Sequence, residues 1–561
     1  VSTFRGKMNE LLSFFPLNDK IREIRSNQYL ALDLIWQAIE QNKKKITLLG
    51  PVGSGKSKIA ETVIRYFESQ GKHCLYTSPL NSLVDQIENT KHCDSRIVTI
   101  KGKRYYDCIA KGNGTKCDSG YCSRKICYVT RNAPKERRIK RNCKDCQLSG
   151  CVCRGCIYKA IFRRYRHSVV GNTNSSIWLM GIMPEDTSVL IIDEVDSLES
   201  FVRMNNTVSV PYHVEGIDFP HHIEVAEKYA DSLESCIDCE KGWDCTPRNI
   251  SRHEGKINSI RNMANDFSEH KEKWIIRKEL KGDSVRTVYE PVTVERFTEP
   301  LLEDLDFVLA MSATPPRWQG YEWIEVPSPF PIDIRQCYYH PLGKFDRSHR
   351  ETNMPKLAEF LTTLRGKTVV HCNSYTFAQS LAFALQETNS LKTYPLLQVR
   401  ENGIIPKEIE YMDYESTSRY DAVDAFVKAK DINKIYLSVN MGRGIDLWQP
   451  EIQNNVIAVI PWADPTDLLT TAKTKLLGDS WKNEAVAINI EQQHGRIHRG
   501  IYYLKDVVKD RPDLAWLPVN AQGMIVKRTF IIDSNFNSGR GRLAAWYVRN
   551  KRYFSQSFNE V

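Results

Sequence analysis

The chain has 561 residues, of which 41% are hydrophobic and 26% are charged, with 78 Lys and Arg against 68 Asp and Glu. These values are typical of a folded protein of several domains and exclude a collagen-like repeat, a disordered tail and a disulfide-stapled mini-protein. No apolar run approaches the roughly 20 residues that span a bilayer, and no signal-peptide pattern opens the chain, so no membrane partner is expected.

The basic excess is concentrated between residues 101 and 170, where 19 Lys and Arg stand against four acids. Nine of the 16 cysteines lie in the same part, between Cys108 and Cys156. Such a net charge attracts a polyanion, although a merely solvated charged surface is the alternative. A cysteine cluster without a secretory signal is typical of metal or iron–sulfur ligation, so we expect a cytoplasmic (nucleoid) location or another reducing intracellular compartment.

Short apolar strands that end in polar or glycine-rich turns alternate with helical patterns such as Ile59–Gln70 and Phe377–Glu387. The predicted strands are Ile46–Leu49, Val189–Ile192, Phe307–Met311, Thr368–His371, Lys434–Val439 and Asn455–Ile460. This alternation predicts an α/β fold with parallel sheets and with functional loops at the carboxyl ends of the strands. Two insertions interrupt the pattern, at about residues 106–158 and 205–290, and the second is predicted to be helical around Arg248–Leu280.

A glycine-rich loop from Gly50 to Ser57 follows the first of these strands and fits G-x-x-x-x-G-K-[ST]. Gly50, Gly53 and Gly55 allow backbone N–H groups to fold around a phosphate at the start of a helix. Lys56 would reach the β- and γ-phosphates of ATP, and the Ser57 hydroxyl would hold Mg²⁺.

The partner of this loop is an apolar run from Ser188 that ends in Asp193 and Glu194. Asp193 can hold the Mg²⁺ ion, and Glu194 can polarise the attacking water. Together with the glycine-rich loop, the two acids predict a nucleoside-triphosphate hydrolysis site.

Read in order, these and further motifs resemble superfamily 2 helicases, specifically the iron–sulfur branch typified by XPD and the bacterial DinG proteins. The motif series is Arg25–Gln28, Tyr76–Ser82, Asp193–Asp196, Ser312–Thr314, Val370–Tyr375, Met441–Asp446 and Gln492–Arg499. The series spans roughly residues 25–500. Asp196 replaces the usual histidine of the family's D-E-A-H box, and Arg443 replaces the glutamate common in this branch.

The resemblance implies two RecA-like parallel-sheet motor domains, with a cysteine-rich Fe–S insertion and a mainly helical arch-like insertion in the first. The expected ranges are 1–105, 159–204 and 291–328 for motor domain 1, 106–158 for the Fe–S insertion, 205–290 for the arch-like insertion and 329–561 for motor domain 2. It also implies site residues. Gln28 would contact adenine, Gly444 and Asp446 would contribute to nucleotide binding, and Thr77, Asn373 and Ser374 would contact DNA. Gln492, Arg496 and Arg499 would act on the γ-phosphate from the second domain, since one loop cannot surround it.

Lys101–Cys108 resembles the family's K-G-R-x-N-Y-x-C entrance to the iron–sulfur domain, and Cys156–Ala160 resembles its exit. The expected ligands of a [4Fe-4S] cluster are Cys108, Cys143, Cys146 and Cys156, with Cys151 as an alternative and Cys153 as a further possibility. Four thiolates also suit zinc, and the surplus Cys117, Cys122 and Cys127, or the group Cys236, Cys239 and Cys245, could bind a separate metal. Arg137, Arg138, Arg163 and Arg164 are candidate phosphate contacts.

These observations predict an ATP-dependent DNA helicase, a monomeric motor on single-stranded and forked DNA, with 5′-to-3′ movement implied by the resemblance. ATP, Mg²⁺ and a [4Fe-4S] cluster are the expected cofactors, and the Fe–S domain would act as a wedge. The alternatives are a single-strand translocase, an RNA–DNA hybrid or R-loop remodelling motor without general duplex unwinding, and a nucleic-acid-binding subunit with an inactive motor.

Overall fold

The computed structural model describes residues 11–16, 23–89, 97–107, 116–117, 157–211, 219–238, 247–281, 284–388, 395–397, 423–430, 432–439, 447–498, 500–537 and 559–560. Within these ranges the strands form two seven-stranded parallel sheets and one three-stranded antiparallel sheet. The two parallel sheets, each flanked by helices, form the α/β architecture that the alternating pattern predicts and agree with the two RecA-like units that the resemblance implies. None of the described helices combines the length and the apolar character needed to cross a membrane.

The first unit is built on a sheet whose strands have the order β10-β1-β9-β5-β2-β4-β3. Its strands are β1 (Lys45–Leu49), β2 (His73–Ser78), β3 (Ile97–Ile100), β4 (Val170–Asn174), β5 (Thr187–Asp193), β9 (Phe307–Ser312) and β10 (Glu322–Glu325). Its helices are α1 (Ser26–Glu40), α2 (Lys56–Ser69), α3 (Asn81–Asn89), α4 (Ile157–Arg166), α5 (Ser175–Leu179), α6 (Leu198–Asn206) and α9 (Glu295–Thr298).

Both faces of this sheet are covered by helices, which explains why its central strands are continuous apolar runs. In β5, Val189 and Ile191 point to the core formed with α1 and α2. Leu190 and Ile192 point to the opposite core, which includes Tyr165 of α4. Alternate residues of a strand face opposite sides of the sheet, so one buried strand contributes to two cores.

The second unit is built on a parallel sheet with the order β13-β14-β12-β15-β16-β11-β17. Its strands are β11 (Arg335–Gly343), β12 (Lys367–Cys372), β13 (Pro395–Leu397), β14 (Ile435–Val439), β15 (Ile452–Ile457), β16 (Lys527–Asp533) and β17 (Asn559–Glu560). Its helices include α10 (Arg350–Thr363), α11 (Tyr375–Glu387), α12 (Leu468–Leu477), α13 (Ser480–His494) and α14 (Leu504–Asp510).

Strand β15 begins three residues before the predicted Asn455–Ile460, because it starts with a polar sequence that the core accommodates. Asn454 donates to the Arg365 carbonyl at 3.0 Å and to the Thr368 hydroxyl at 3.2 Å, and Asn455 lies 2.8 Å from the His371 ring. A buried amide is tolerated when its hydrogen bonds are satisfied, so apolar patterning alone misplaced this strand.

The second insertion contains two helices, α7 (Phe219–Asp238) and α8 (Pro247–Glu269), which pack on an antiparallel sheet. That sheet consists of β6 (Val208–Val210), β7 (Trp274–Lys281) and β8 (Ser284–Pro291), in the order β6-β8-β7. The expectation of helix as far as Leu280 is therefore wrong. The helix ends at Glu269, and Trp274 begins a strand whose alternating side chains suit a sheet with one covered face.

Candidate functional site

The predicted hydrolysis motifs meet at one edge of the first sheet. Strands β1, β9 and β5 are neighbours and run parallel, so the loops that follow their carboxyl ends lie side by side. These loops carry the glycine-rich motif, the Ser312–Thr314 motif and the acidic motif that begins at Asp193. Ligands bind at this edge in open α/β sheets, because it is where the strand ends and helix starts converge.

The glycine-rich loop is backed by residues 25–28, at the start of α1. Asn27 donates to the Ser54 carbonyl at 2.9 Å, and Arg25 donates to the Gly53 carbonyl at 3.2 Å. Gly55 has a φ of +84°, and a Cβ atom there would lie only 2.2 Å from Gln28 Nε2. Only glycine suits this position, because both the left-handed backbone and the contact with Gln28 exclude a side chain.

Lys56 opens α2 and is buried, and its ammonium group donates to the Gly50 carbonyl at 2.9 Å. A Cβ atom at Gly50 would lie 2.9 Å from Ser54 Oγ and 3.2 Å from Lys56 Cγ. The loop is therefore closed around its own lysine, whose donors would exchange the carbonyl for phosphate oxygens when a nucleotide binds.

Asp193 ends β5 in a buried position, where both of its carboxylate oxygens are hydrogen-bonded. Tyr76 of β2 donates its hydroxyl to Oδ2 at 2.5 Å, and the Glu194 N–H donates to Oδ1 at 3.0 Å. The Ser57 hydroxyl in turn bonds the Tyr76 oxygen. Tyr76 thus links Ser57 and Asp193, the two residues that the sequence predicts as Mg²⁺ ligands.

Burial dominates the electrostatics of this group. Burial and the neighbouring Glu194 raise the pKa of Asp193 to about 6, while Lys56 acts in the opposite direction. Burial and the Asp193 carboxylate raise the pKa of Tyr76 well above its ordinary value, so the phenol remains a donor. A divalent cation between Ser57 and Asp193 would favour the ionised carboxylate.

Glu194, the predicted water-polarising residue, has a left-handed backbone conformation with a φ of +50°. Such a conformation costs a non-glycine residue roughly 1–2 kcal/mol, and residues of this kind are concentrated at functional sites. The turn directs the Glu194 carboxylate away from the strand and toward Ser312 Oγ, which lies 3.2 Å from Oε2.

Asp196 connects the acidic motif to the Ser312–Thr314 motif. Its two oxygens accept from the Ser312 hydroxyl at 2.8 Å and from the Thr314 hydroxyl at 3.3 Å. A carboxylate can accept from both hydroxyls at once, which accounts physically for aspartate at this position. A displacement of Glu194 or Asp196 would therefore move the segment that follows β9.

Among the described residues, Gln492, Gly495 and Lys473 join the second unit to this site. Gln492 of α13 lies with its Nε2 3.5 Å from both Glu194 Oε2 and Thr314 Oγ1. Gly495 packs so closely on Val52 of the glycine-rich loop that a Cβ atom there would lie 2.6 Å from Val52 Cβ. Lys473 of α12 forms an ion pair with Glu199 of α6. The two units are closed on each other at the hydrolysis motifs.

Arg496 lies in the turn after α13 and is 2% exposed. It is held beside a buried polar network in which His371 bonds Asn455, and Thr529 bonds His494 at 2.9 Å. Burial lowers the pKa of His371 to about 4 and that of His494 to about 3, so both imidazoles are neutral at physiological pH.

The predicted DNA-contacting residues differ in their placement. Thr77 is fully buried in β2, 3.4 Å from Ser175 Oγ. Asn373 is exposed after β12 and donates to the Ile460 carbonyl at 3.1 Å, while Ser374 caps α11 by accepting from the Phe377 N–H. The last two predicted residues, Arg163 and Arg164, lie on α4. Their roles stay predictions.

Several predicted site residues lie outside the described residues: Arg499, Gly444, Asp446, Arg137, Arg138, Cys108, Cys143, Cys146, Cys151 and Cys156. Cys117 is described; it is buried, and its thiol lies 3.4 Å from the Asp107 carbonyl. Within the described ranges, no group of three or more His, Cys, Asp or Glu side chains could hold a metal ion.

The sequence motifs gave no role to Tyr76, Val52, Glu199 or Lys473, although all four lie at the site. Tyr76 is the first residue of the Tyr76–Ser82 motif, and a tyrosine in an otherwise apolar strand was the available signal, since a buried hydroxyl needs a partner. Val52 and Lys473 carried no signal, because their partners are far away in the sequence.

Comparisons with known proteins agree with this geometry. Residues 21–126 match the family model described as "Type III restriction enzyme, res subunit", and residues 357–501 match "Helicase C-terminal domain". A solved XPD helicase superimposes with a TM-score of 0.56 at 15% identity, covering 96% of this chain and 100% of that one. The Xpd4 structure from S. tokodaii gives a TM-score of 0.48 at 14% identity, covering 95% and 100%. No curated protein matches the chain.

The two family models fall in the two α/β units that close over the hydrolysis motifs. The second unit is thus similar to the helicase C-terminal domain, and the whole chain shares the fold of the XPD helicase, in agreement with the resemblance that the motif series carries.

Proposed function

We propose that the chain is an ATP-dependent DNA helicase that translocates 5′-to-3′ on single-stranded DNA and unwinds duplex DNA ahead of it. The observation that carries the proposal is the position of Gln492. This residue of the second unit has its Nε2 3.5 Å from both Glu194 and Thr314 of the first unit. A change at the γ-phosphate would therefore affect both units.

ATP would bind on the glycine-rich loop with Gln28 near its base, and Lys56 would leave the Gly50 carbonyl for the phosphates. Ser57 and Asp193 would hold Mg²⁺, which neutralises phosphate charge when bound, and Glu194 would orient the attacking water. Arg496 and Arg499, with Gln492, would stabilise charge on the transferring phosphoryl group from the second unit. Gly444 and Asp446 would complete the nucleotide site.

Translocation would follow from opening and closing of the two units. Among the described residues, the contacts that hold the closed arrangement include those of Gln492 with Glu194, Gly495 with Val52 and Lys473 with Glu199. Loss of the γ-phosphate removes the charge that holds the arginines, so the units would separate. Because Ser312 and Thr314 bond Asp196, the segment after β9 would move in the same step.

The direction of movement and the wedge rest on the resemblance. The cysteine-rich segment, with Cys108, Cys143, Cys146 and Cys156 as ligands of a [4Fe-4S] cluster, would part the duplex, and Arg137 and Arg138 would contact phosphates. The iron, sulfide and zinc content of the purified protein tests the Fe–S wedge independently of the motor. The anaerobically purified protein should contain about four irons with sulfide, and zinc alone would remove the cluster and the support for the wedge.

Unwinding of forked DNA tests the whole proposal. A fork with a 5′ single-stranded tail should be opened in the presence of ATP and Mg²⁺, a fork with only a 3′ tail should not, and Lys56→Ala should open neither. Strand-stimulated ATP turnover without unwinding of any fork would instead indicate a translocase. Preference for an RNA–DNA hybrid would indicate a hybrid-remodelling motor.

A further inference from the structure

The carboxyl edge of the first sheet has a second half that the hydrolysis motifs do not use. In the sheet order, β2, β4 and β3 lie together beyond β5, so the segments that follow Ser78, Asn174 and Ile100 are neighbours. These segments carry Asn81, Asn174 itself and the stretch from Lys101 to Asp107. All of them lie on the same edge as the glycine-rich loop.

Hydrogen bonds connect the three segments and end at Tyr105. The Asn174 side chain donates to Asn81 Oδ1 at 2.7 Å, and Asn81 Nδ2 donates to the Tyr105 hydroxyl at 2.7 Å. Asn174 is itself fixed, because its Oδ1 accepts from the Ile177 N–H at 3.0 Å and caps α5. The phenol oxygen is therefore held by Asn81, which is in turn positioned by Asn174 at the end of β4.

Tyr105 is 40% exposed although its hydroxyl is bonded to protein. A surface tyrosine ordinarily buries its ring and directs its hydroxyl to water. Here the hydroxyl is anchored by a hydrogen bond to Asn81 while the side chain stays substantially exposed. The Arg104 guanidinium lies 5.1 Å from the ring centroid and also donates to the hydroxyl at 3.2 Å, which adds positive charge beside the ring.

Positive charge surrounds this ring. Lys103 and Arg104 are exposed, and the Lys103 ammonium lies 5.8 Å from the Tyr158 ring centroid. The nearby acids are already paired, Asp85 with Lys101 and Asp107 with Lys116. A fixed, exposed aromatic ring within a basic surface is the combination that binds single strands, since cations track the phosphates and the ring stacks on a base.

We propose that Tyr105 is a base-stacking platform for single-stranded DNA, held in place by Asn81 and Asn174, with Arg104 and Lys103 contacting the flanking phosphates. The proposal rests on the proposed function, because it places the strand on the edge next to the hydrolysis motifs. It also assigns a role to a position at which the family's entrance pattern has asparagine rather than tyrosine.

Two strands of equal backbone charge separate stacking from charge attraction: a 20-nucleotide oligothymidylate and a 20-unit strand without bases, both fluorescein-labelled. Tyr105→Ala should weaken anisotropy-monitored binding of the oligothymidylate by roughly 5- to 150-fold, the range typical of one lost stacking contact, and leave the base-free strand unchanged. Tyr105→Phe and Tyr105→Trp keep a ring and should remain within a few-fold of the unsubstituted protein.

Tyr503→Ala is the matched control, because Tyr503 is 42% exposed beside Lys505 but belongs to the second unit. It should bind both strands as the unsubstituted protein does. Equal losses on both strands in Tyr105→Ala, or no loss on either, would overturn the stacking platform while DNA-stimulated ATP turnover upheld the motor. If the unsubstituted protein bound neither strand and DNA did not stimulate turnover, the proposed function would fall as well.

Discussion

Closure of the two units can be tested at a single methyl group, by the substitution Gly495→Ala. The added Cβ atom would lie 2.6 Å from Val52 Cβ and 2.7 Å from both of its Cγ atoms, about 0.8 Å nearer than an ordinary contact of 3.4 Å. Because Val52 belongs to the glycine-rich loop, relief by moving the loop would also disturb the phosphate site. Separation of the two units is the simpler relief.

The expected loss of ATPase activity follows from the overlap between the added Cβ atom and Val52. Inserting a methyl group into a packed site typically costs 1–3 kcal/mol, and 1.4 kcal/mol corresponds to a factor of ten in an equilibrium. If turnover is proportional to the closed population, Gly495→Ala should lower the steady-state ATPase rate by roughly 5- to 150-fold. The free energy of unfolding should change much less, since the contact lies between units.

Val52→Gly supplies the compensating change, because it removes all three of the clashing atoms. By itself, Val52→Gly should lower the ATPase rate a few-fold, because glycine adds conformational freedom to the loop. Combined with Gly495→Ala it should restore much of the activity, so that the double variant is faster than Gly495→Ala alone. Gly255→Ala is the control, since nothing lies within 4 Å of a Cβ atom there. Additive losses in the double variant would refute the steric account.

Tyr76→Phe removes a buried donor to the Asp193 carboxylate and should lower the free energy of unfolding by roughly 1.5–3 kcal/mol and slow Mg²⁺-dependent ATP turnover. Tyr165→Phe removes a buried hydroxyl that donates to the Ile182 carbonyl, and it should leave turnover intact; equal turnover in the two variants would contradict the Asp193 linkage. Lys473→Met and Glu199→Gln should each reduce turnover about 2- to 5-fold, because Glu199 is partly exposed and the ion pair is worth only about 0.5–1 kcal/mol. The double variant should lose no more than either single variant. Independent losses would show that the pair does not act as one contact. The buried His371 has a pKa of about 4 against an ordinary 6.5, so between these pH values the unfolded chain binds a proton that the native protein excludes. The contribution of His371 to the free energy of unfolding should therefore be fully present above pH 6.5. The free energy of unfolding should fall by about 3 kcal/mol as the pH is lowered from 6.5 to 4. Urea unfolding at a series of pH values should show a weaker dependence of the free energy of unfolding on pH in His371→Gln. An unchanged dependence would show that His371 is not its source.

The hydrolysis motifs could be predicted from the sequence because each is local. The loop from Gly50 to Ser57 is defined by adjacent residues between a strand and a helix, and Asp193 and Glu194 end an apolar run. Local order of this kind also predicts the alternation of strands and helices. The resemblance to helicase motors was therefore recognisable from the sequence alone.

Local pattern was less informative where a segment's environment is set by distant residues. The polar start of β15 is a strand because His371, Arg365 and Thr368 satisfy its amides, and nothing between Ile452 and Ile457 indicates those partners. The strand β7 was predicted as helix for the same reason. Its pairing with β8 determines its conformation more than its composition does.

The sequence by itself determined the order of the motifs and the kinds of side chain available for ATP chemistry. Tertiary structure alone decided which of them touch. Tyr76 reaches Asp193 across 117 residues because β2 and β5 are neighbours in one parallel sheet. Gln492 reaches Glu194 across 298 residues because the second unit closes on that edge of the first. Tyr105 meets Asn81 because β2, β4 and β3 are neighbours in the sheet, an order that no local pattern encodes, since it is fixed by the packing of the whole unit.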